Sequence, residues 1–126
     1  GLTNEAGWIP VDRHTLQTQF EGVFAIGDIT AIPLKMGRPL PKAGVFAHGQ
    51  AEVVANNIAH AWTGRGAPRK FAGEGQCFIE TGNARAGLGK GNFYAEPLPQ
   101  VDMHRPSLFW HIGKILYEKY WLYRHF

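Results

Sequence analysis

The sequence predicts a mixed α/β fold, α+β for a fragment, and three observations predict it. An apolar run, Val23-Phe24-Ala25-Ile26, stops abruptly at Gly27-Asp28, the pattern of a buried strand that ends at a ligand. From Lys42 to Trp62, apolar residues recur three and four apart, the spacing of an amphipathic helix. A β-like segment, Gln76–Thr81, then leads through glycine-rich turns to a last aromatic helix that opens at Ser107.

Composition bounds the function classes. A chain of 126 residues with 44% hydrophobic content has the size of one ordinary domain and enough apolar material for a core. The formal net charge is +3. No run of Lys and Arg has the density of a nucleic-acid tract, so nucleic acid is not an expected partner. Cys77 is the single cysteine, which excludes an intrachain disulfide and a cysteine-only metal site. The six histidines show no ligand-like spacing to carboxylates or to Cys77, and no metal site is expected. No apolar stretch is long enough to span a bilayer.

The elements follow in order. Trp8–Asp12 reads as a short edge strand, because Pro10 cannot donate to a ladder. Thr15–Thr18 reads as a second extended piece, and the two together as a small hairpin leading into the Val23–Ile26 strand. Pro33, Gly37, Pro39 and Pro41 forbid regular structure over Ile29–Pro41 and stiffen that loop. The helix then runs from Lys42-Ala43-Gly44 through Val45, Phe46, Ala51, Val54, Ala55, Ile58 and Trp62, and Gly64 and Gly66 end it. Arg65–Lys70 is a basic linker and the best internal boundary, dividing the chain into 1–64 and 65–126. Gly82-Asn83 supplies a turn after Gln76–Thr81, Ala84–Leu88 returns antiparallel, and Asn92–Ala95 reads as another short strand. Pro97, Pro99 and Pro106 predict irregular chain up to Ser107, which caps a helix to about Arg124.

Gly27 and Asp28 are the first candidate site residues. A glycine lets backbone approach a ligand closely, and a short carboxylate accepts a hydrogen bond from a ligand hydroxyl. Lys42, Ala43 and Gly44 are the next. A helix start presents unpaired N–H groups, and this one lacks a Ser or Asp cap, so a ligand can answer them. Residue chemistry alone leaves a plainer reading open, in which Asp28 caps a turn and the glycines only make loops.

The pattern as a whole resembles a known family. Thr15-Leu16-Gln17-Thr18, four residues, then Val23-Phe24-Ala25-Ile26-Gly27-Asp28 is similar to the second FAD-binding motif of the pyridine nucleotide–disulfide oxidoreductase superfamily. Leu40-Pro41-Lys42-Ala43-Gly44-Val45 resembles the sulfide:quinone oxidoreductase branch and the related flavin subunit of flavocytochrome c sulfide dehydrogenase. Type II NADH dehydrogenases, a further alternative, would show Thr-Ala-Gln here. The resemblance extends through Gln50–Ile58 and more loosely to the C-terminus. It implies a Rossmann-like FAD-binding domain over 1–64 and a small C-terminal domain over 65–126. It assigns Asp28 to the ribityl chain of FAD and the Lys42–Gly44 helix start to the isoalloxazine. The motif Gly-x-Gly-x-x-Gly does not occur in this sequence, so the resemblance covers only the last third or so of such a protein. An N-terminal part of the same protein is the implied partner, and the piece alone is expected to be inactive.

The resemblance further implies that Cys77, in Cys77-Phe78-Ile79-Glu80-Thr81-Gly82, is a catalytic thiol beside the flavin, working with a second cysteine from an earlier part of the chain. A buried strand cysteine acting as a small hydrophobe is the structural alternative. Electrons would pass from a reduced donor through FAD to a quinone. Glu80 reads as a solvent-facing strand residue or a proton relay, and His48 as a proton donor or an ordinary surface or core histidine. The aromatic helix Ser107–Arg124 fits peripheral membrane contact or self-association, with the protein otherwise cytoplasmic. A non-catalytic dimerisation or membrane-association module is the reading of another class.

Overall fold

The computed structural model describes residues 1–126. Its elements run β1 (Ile9–Pro10), β2 (Thr30–Ala31), α1 (Gly44–Thr63), β3 (Glu74–Gly82), β4 (Arg85–Asn92), β5 (Gln100–Ser107) and α2 (Leu108–His125). A parallel pair β1–β2 and an antiparallel sheet ordered β3-β4-β5 flank α1 and α2, a mixed α/β architecture of the kind a fragment of an α+β domain has.

The expected helices form. α1 ends on Gly64, a left-handed cap at φ 66° whose N–H returns to the His60 carbonyl. Ser107 caps α2, its hydroxyl accepting from the Trp110 N–H. The β3–β4 hairpin closes through Asn83 and Ala84, both at positive φ (51° and 52°), as a two-residue turn matched to strand twist requires.

Four expectations are corrected. Val23–Ile26 is not a buried strand. Phe24 makes one antiparallel bridge to Gln17 and the Ala25 N–H bonds the Leu16 carbonyl, while Val23 and Ile26 lie exposed. A strand is covered on both faces only when neighbours flank it, and one bridge provides none. Trp8–Asp12 and Thr15–Thr18 do not form a hairpin. β1 pairs with β2 instead, because the Asp12 carboxylate turns the chain by accepting from the His14 N–H (2.9 Å), the Thr15 N–H (2.7 Å) and the Thr15 hydroxyl (3.0 Å). These bonds, the Thr15 N–H foremost, hold the Asp12 carboxyl below its ordinary value. Finally, Asn92 ends β4 and Phe93-Tyr94 turn, whereas Gln100–Ser107, expected to be irregular, is a strand. Pro106 is accommodated because β5 is an edge strand and its register against β4 shifts between Ala86 and Leu88.

The core is built around α1. Phe46, on its buried face with Gln50 and Val53, packs among Leu16, Ile32, Leu34, Leu40, Phe71 and Tyr94. Leu16 is fully buried although its φ is 61°, a conformation that costs roughly 1–2 kcal/mol for a side-chain-bearing residue. Burying a leucine returns about 1.5–3 kcal/mol, which holds it there. Phe71 and Tyr94 meet edge to face at 5.7 Å, and the Tyr94 hydroxyl donates to the Arg13 carbonyl at 2.7 Å. Phe71 and Tyr94 thereby join the segment after residue 65 to the core of the first half.

Candidate functional site

Gly27, Asp28 and Ile29 form one 3-10 turn immediately before β2. Gly27 sits at φ 73°, where L side chains are strained, and its N–H donates to Oε1 of Gln50 at 2.7 Å. Its carbonyl accepts from the Thr30 N–H and hydroxyl, the latter at 2.8 Å. The turn is thus held at both ends. Asp28 is exposed, and its carboxylate has no hydrogen-bond donor within the chain.

The helix start faces this turn. Ala43 is the N-cap of α1 in extended conformation and supplies no side-chain cap. The Ala43 carbonyl accepts from the Phe46 and Ala47 N–H groups, leaving those of Gly44 and Val45 without a protein acceptor. Lys42 donates its ammonium to the Thr30 carbonyl and lies over the Trp8 ring, 4.6 Å from its centroid. Gly27, Asp28, Lys42 and Ala43 line one small cleft, floored by Gln50 and Ala47.

A larger groove of about 590 Å³ opens on the other side of Ala43, a volume suited to a small organic ligand. Ala43, Gly44, Val45 and His48 form one wall, Gln76, Cys77 and Phe78 of β3 a second, and Lys114, Tyr117, Glu118, Trp121 and Leu122 of α2 a third. Cys77 is exposed, and its thiol makes only a long contact (3.4 Å) with the adjoining Phe78 carbonyl. His48 approaches Glu52 at 3.6 Å and the His125 ring edge to face at 5.8 Å.

Glu80 is bonded rather than free. Its carboxylate receives the Lys114 ammonium at 3.2 Å and approaches His111 Nδ1 at 3.1 Å, tying β3 to α2. The Lys114 bond, with His111 second, holds the Glu80 carboxyl below its ordinary value.

The sequence-derived candidates therefore fall into two adjoining places. Gly27, Asp28 and Lys42 meet in the cleft, Gly44 and Cys77 meet in the groove, and Ala43 borders both. Asp28 and Cys77 share no cavity. Gln50 was missed by sequence reasoning. Its signal was a polar residue on the helix face shared with Phe46 and Val53, where burial demands a partner.

No family model matches the chain. Several curated relatives do, two of them as follows. Mitochondrial sulfide:quinone oxidoreductase of Mus musculus is 28% identical over 98 residues, 77% of this chain and 20% of that protein. The mitochondrial sulfide:quinone oxidoreductase of Schizosaccharomyces pombe is also 28% identical, over 95% of this chain and 27% of that protein. The chain thus spans about a fifth to a quarter of the length of these relatives. Along most of its own length it is similar, at low identity, to these sulfide:quinone oxidoreductases.

Proposed function

We propose that this chain supplies one wall of a flavin site in an FAD-dependent oxidoreductase that moves electrons from a reduced sulfur donor to a quinone. The observation that carries the reading is the shared lining. The Gly27-Asp28 turn and the Lys42–Ala43 helix start, far apart in sequence, border one cleft, and that helix start continues into the groove that holds Cys77. The donor set fits the cofactor. The Asp28 carboxylate accepts from a hydroxyl of a polyol chain, and the unpartnered Gly44 and Val45 N–H groups suit a heteroaromatic edge that gains negative charge on reduction.

FAD, when bound, supplies two-electron transfer between donor and acceptor. The chain's own residues bind and orient. Asp28 holds the polyol chain, the Gly44 and Val45 amides answer the ring edge, and the apolar side chains of Phe78, Tyr117, Trp121 and Leu122 shelter the groove from water. Cys77, exposed at the groove wall, is placed to act as a redox thiol: held in a disulfide with a second cysteine, it would be opened by sulfide as the nucleophile, the old S–S bond breaking as a persulfide forms and one sulfur leaves as a thiolate. Its partner sulfur lies outside these residues.

One variant separates sulfur chemistry from other donors. In the protein produced from its complete reading frame, Cys77→Ser abolishes flavin reduction by sulfide while flavin content stays unchanged. An unaltered rate of reduction by sulfide would assign the donor to another class.

A reading of another class has its own observation. α2 buries none of its residues, and Phe109, Leu116, Tyr120 and Tyr123 expose 59–89% of their surface. No helix is long and apolar enough to cross a membrane. In this reading α2 is an interaction helix that contacts a bilayer surface or another protein, and the whole protein carries no flavin.

A further inference from the structure

Gln50 is 1% exposed, the most deeply buried polar side chain in the protein. Its orientation is settled by its partner. The Gly27 N–H can only donate, so the atom that meets it at 2.7 Å is Oε1. The carboxamide nitrogen then carries two N–H donors with no protein acceptor. Leaving such donors unanswered in a protein interior is costly. No fully inaccessible side-chain nitrogen or oxygen lacks a partner, so Nε2 keeps the sliver of access that Gln50 retains. Gln50 lines the same cleft as Gly27 and Asp28.

The cleft therefore carries two complementary groups, an amide donor at Gln50 and an unpartnered carboxylate acceptor at Asp28. A carbonyl would satisfy only the first, and an ammonium only the second. A hydroxyl satisfies both, accepting from the amide and donating to the carboxylate. The cavity there is about 10 Å³, room for one water-sized group and not for a ring.

We infer that Gln50 is a ligand-binding residue, its Nε2 donating to the same ligand hydroxyl that Asp28 accepts from, while its Oε1 fixes the Gly27 turn. The ligand class is a polyol chain. The inference rests on the flavin reading, in which that chain is the ribityl of FAD.

A donor–acceptor swap tests it in the protein produced from its complete reading frame, with FAD affinity read by fluorescence titration and folding by thermal melting. Gln50→Glu keeps an acceptor for the Gly27 N–H and loses the donor. Asp28→Asn gains a donor beside the acceptor. Each single variant weakens FAD binding about tenfold or more, and the double variant Asp28→Asn/Gln50→Glu, which exchanges the two roles, recovers most of the loss. Gln50→Met, uncharged and without a donor, gives the same loss while its melt shows it folded. Additive losses in the double variant, or wild-type affinity in Gln50→Glu or Gln50→Met, overturn the inference and leave the flavin reading standing. A wild-type protein with no FAD affinity overturns both.

Discussion

The Glu80 carboxylate and the Lys114 ammonium meet at 3.2 Å, joining β3, the strand of one groove wall, to the helix that forms another. α2 has no buried residue, and this pair with its His111 neighbour adds to the packing of Tyr117 on Phe78 and of Trp110 on His104 in placing it. Glu80→Gln is expected to raise amide exchange along α2 severalfold and to change Trp121 fluorescence, with little effect on the melting of the core. The pH dependence has a defined sign. A carboxyl held below its ordinary value of 4.5 contributes fully above that pH, and the contribution disappears as pH falls through the lowered folded value. Acidification below about pH 4.5 should therefore loosen α2 before it melts the core, and an acid titration followed by Trp fluorescence checks the order.

Gly73 is confined twice. Its φ is 74°, and a Cβ added there would stand 2.4 Å from Cγ of the Tyr94 ring. The backbone strain is worth roughly 1–2 kcal/mol, and the displaced ring about 1–3 kcal/mol more. Gly73→Ala should lower the stability measured by urea unfolding by about 2–5 kcal/mol. A loss under about 0.5 kcal/mol, the ordinary surface value, would contradict the packing of Tyr94 on this segment.

Tyr94 gives an alkaline signature. Burial pushes its phenol well above the ordinary value of 10.0, against the opposing pull of the Arg13 guanidinium. A folded state that holds the group neutral contributes stability fully present below pH 10 and lost as pH rises beyond it. Wild-type protein should therefore lose stability above about pH 10 more steeply than Tyr94→Phe. At neutral pH the same variant should cost about 1 kcal/mol, for the lost bond to the Arg13 carbonyl. Parallel denaturant curves at neutral and alkaline pH measure both.

Local signals proved legible in the sequence and pairings did not. The three-and-four spacing and Gly64 place α1, and Ser107 places α2, because caps and periodicity are written within one turn of chain. The Gln76–Thr81 strand and its turn likewise appear where expected, extended at both ends. The parallel pairing of Ile9 with Thr30 involves residues far apart in sequence, and nothing near Ile9 encodes it. The Val23–Ile26 run has the composition of a covered strand, yet burial depends on neighbours that composition does not specify. Pro106 reads locally as a breaker, and only its edge position makes it compatible with β5. The candidate site divides in the same way. Gly27-Asp28 and Ala43-Gly44 are visible as motifs, whereas the Gln50 bond that ties the turn to the helix exists only once α1 packs.

The most direct test of the proposed flavin wall is the cofactor content of the protein produced from its complete reading frame, compared with Asp28→Ala. The wild-type protein should be yellow and release FAD on denaturation, and the Asp28→Ala variant should fold and have lost most of that FAD. A colourless wild-type protein, or a variant that retains FAD in full, would contradict the flavin reading.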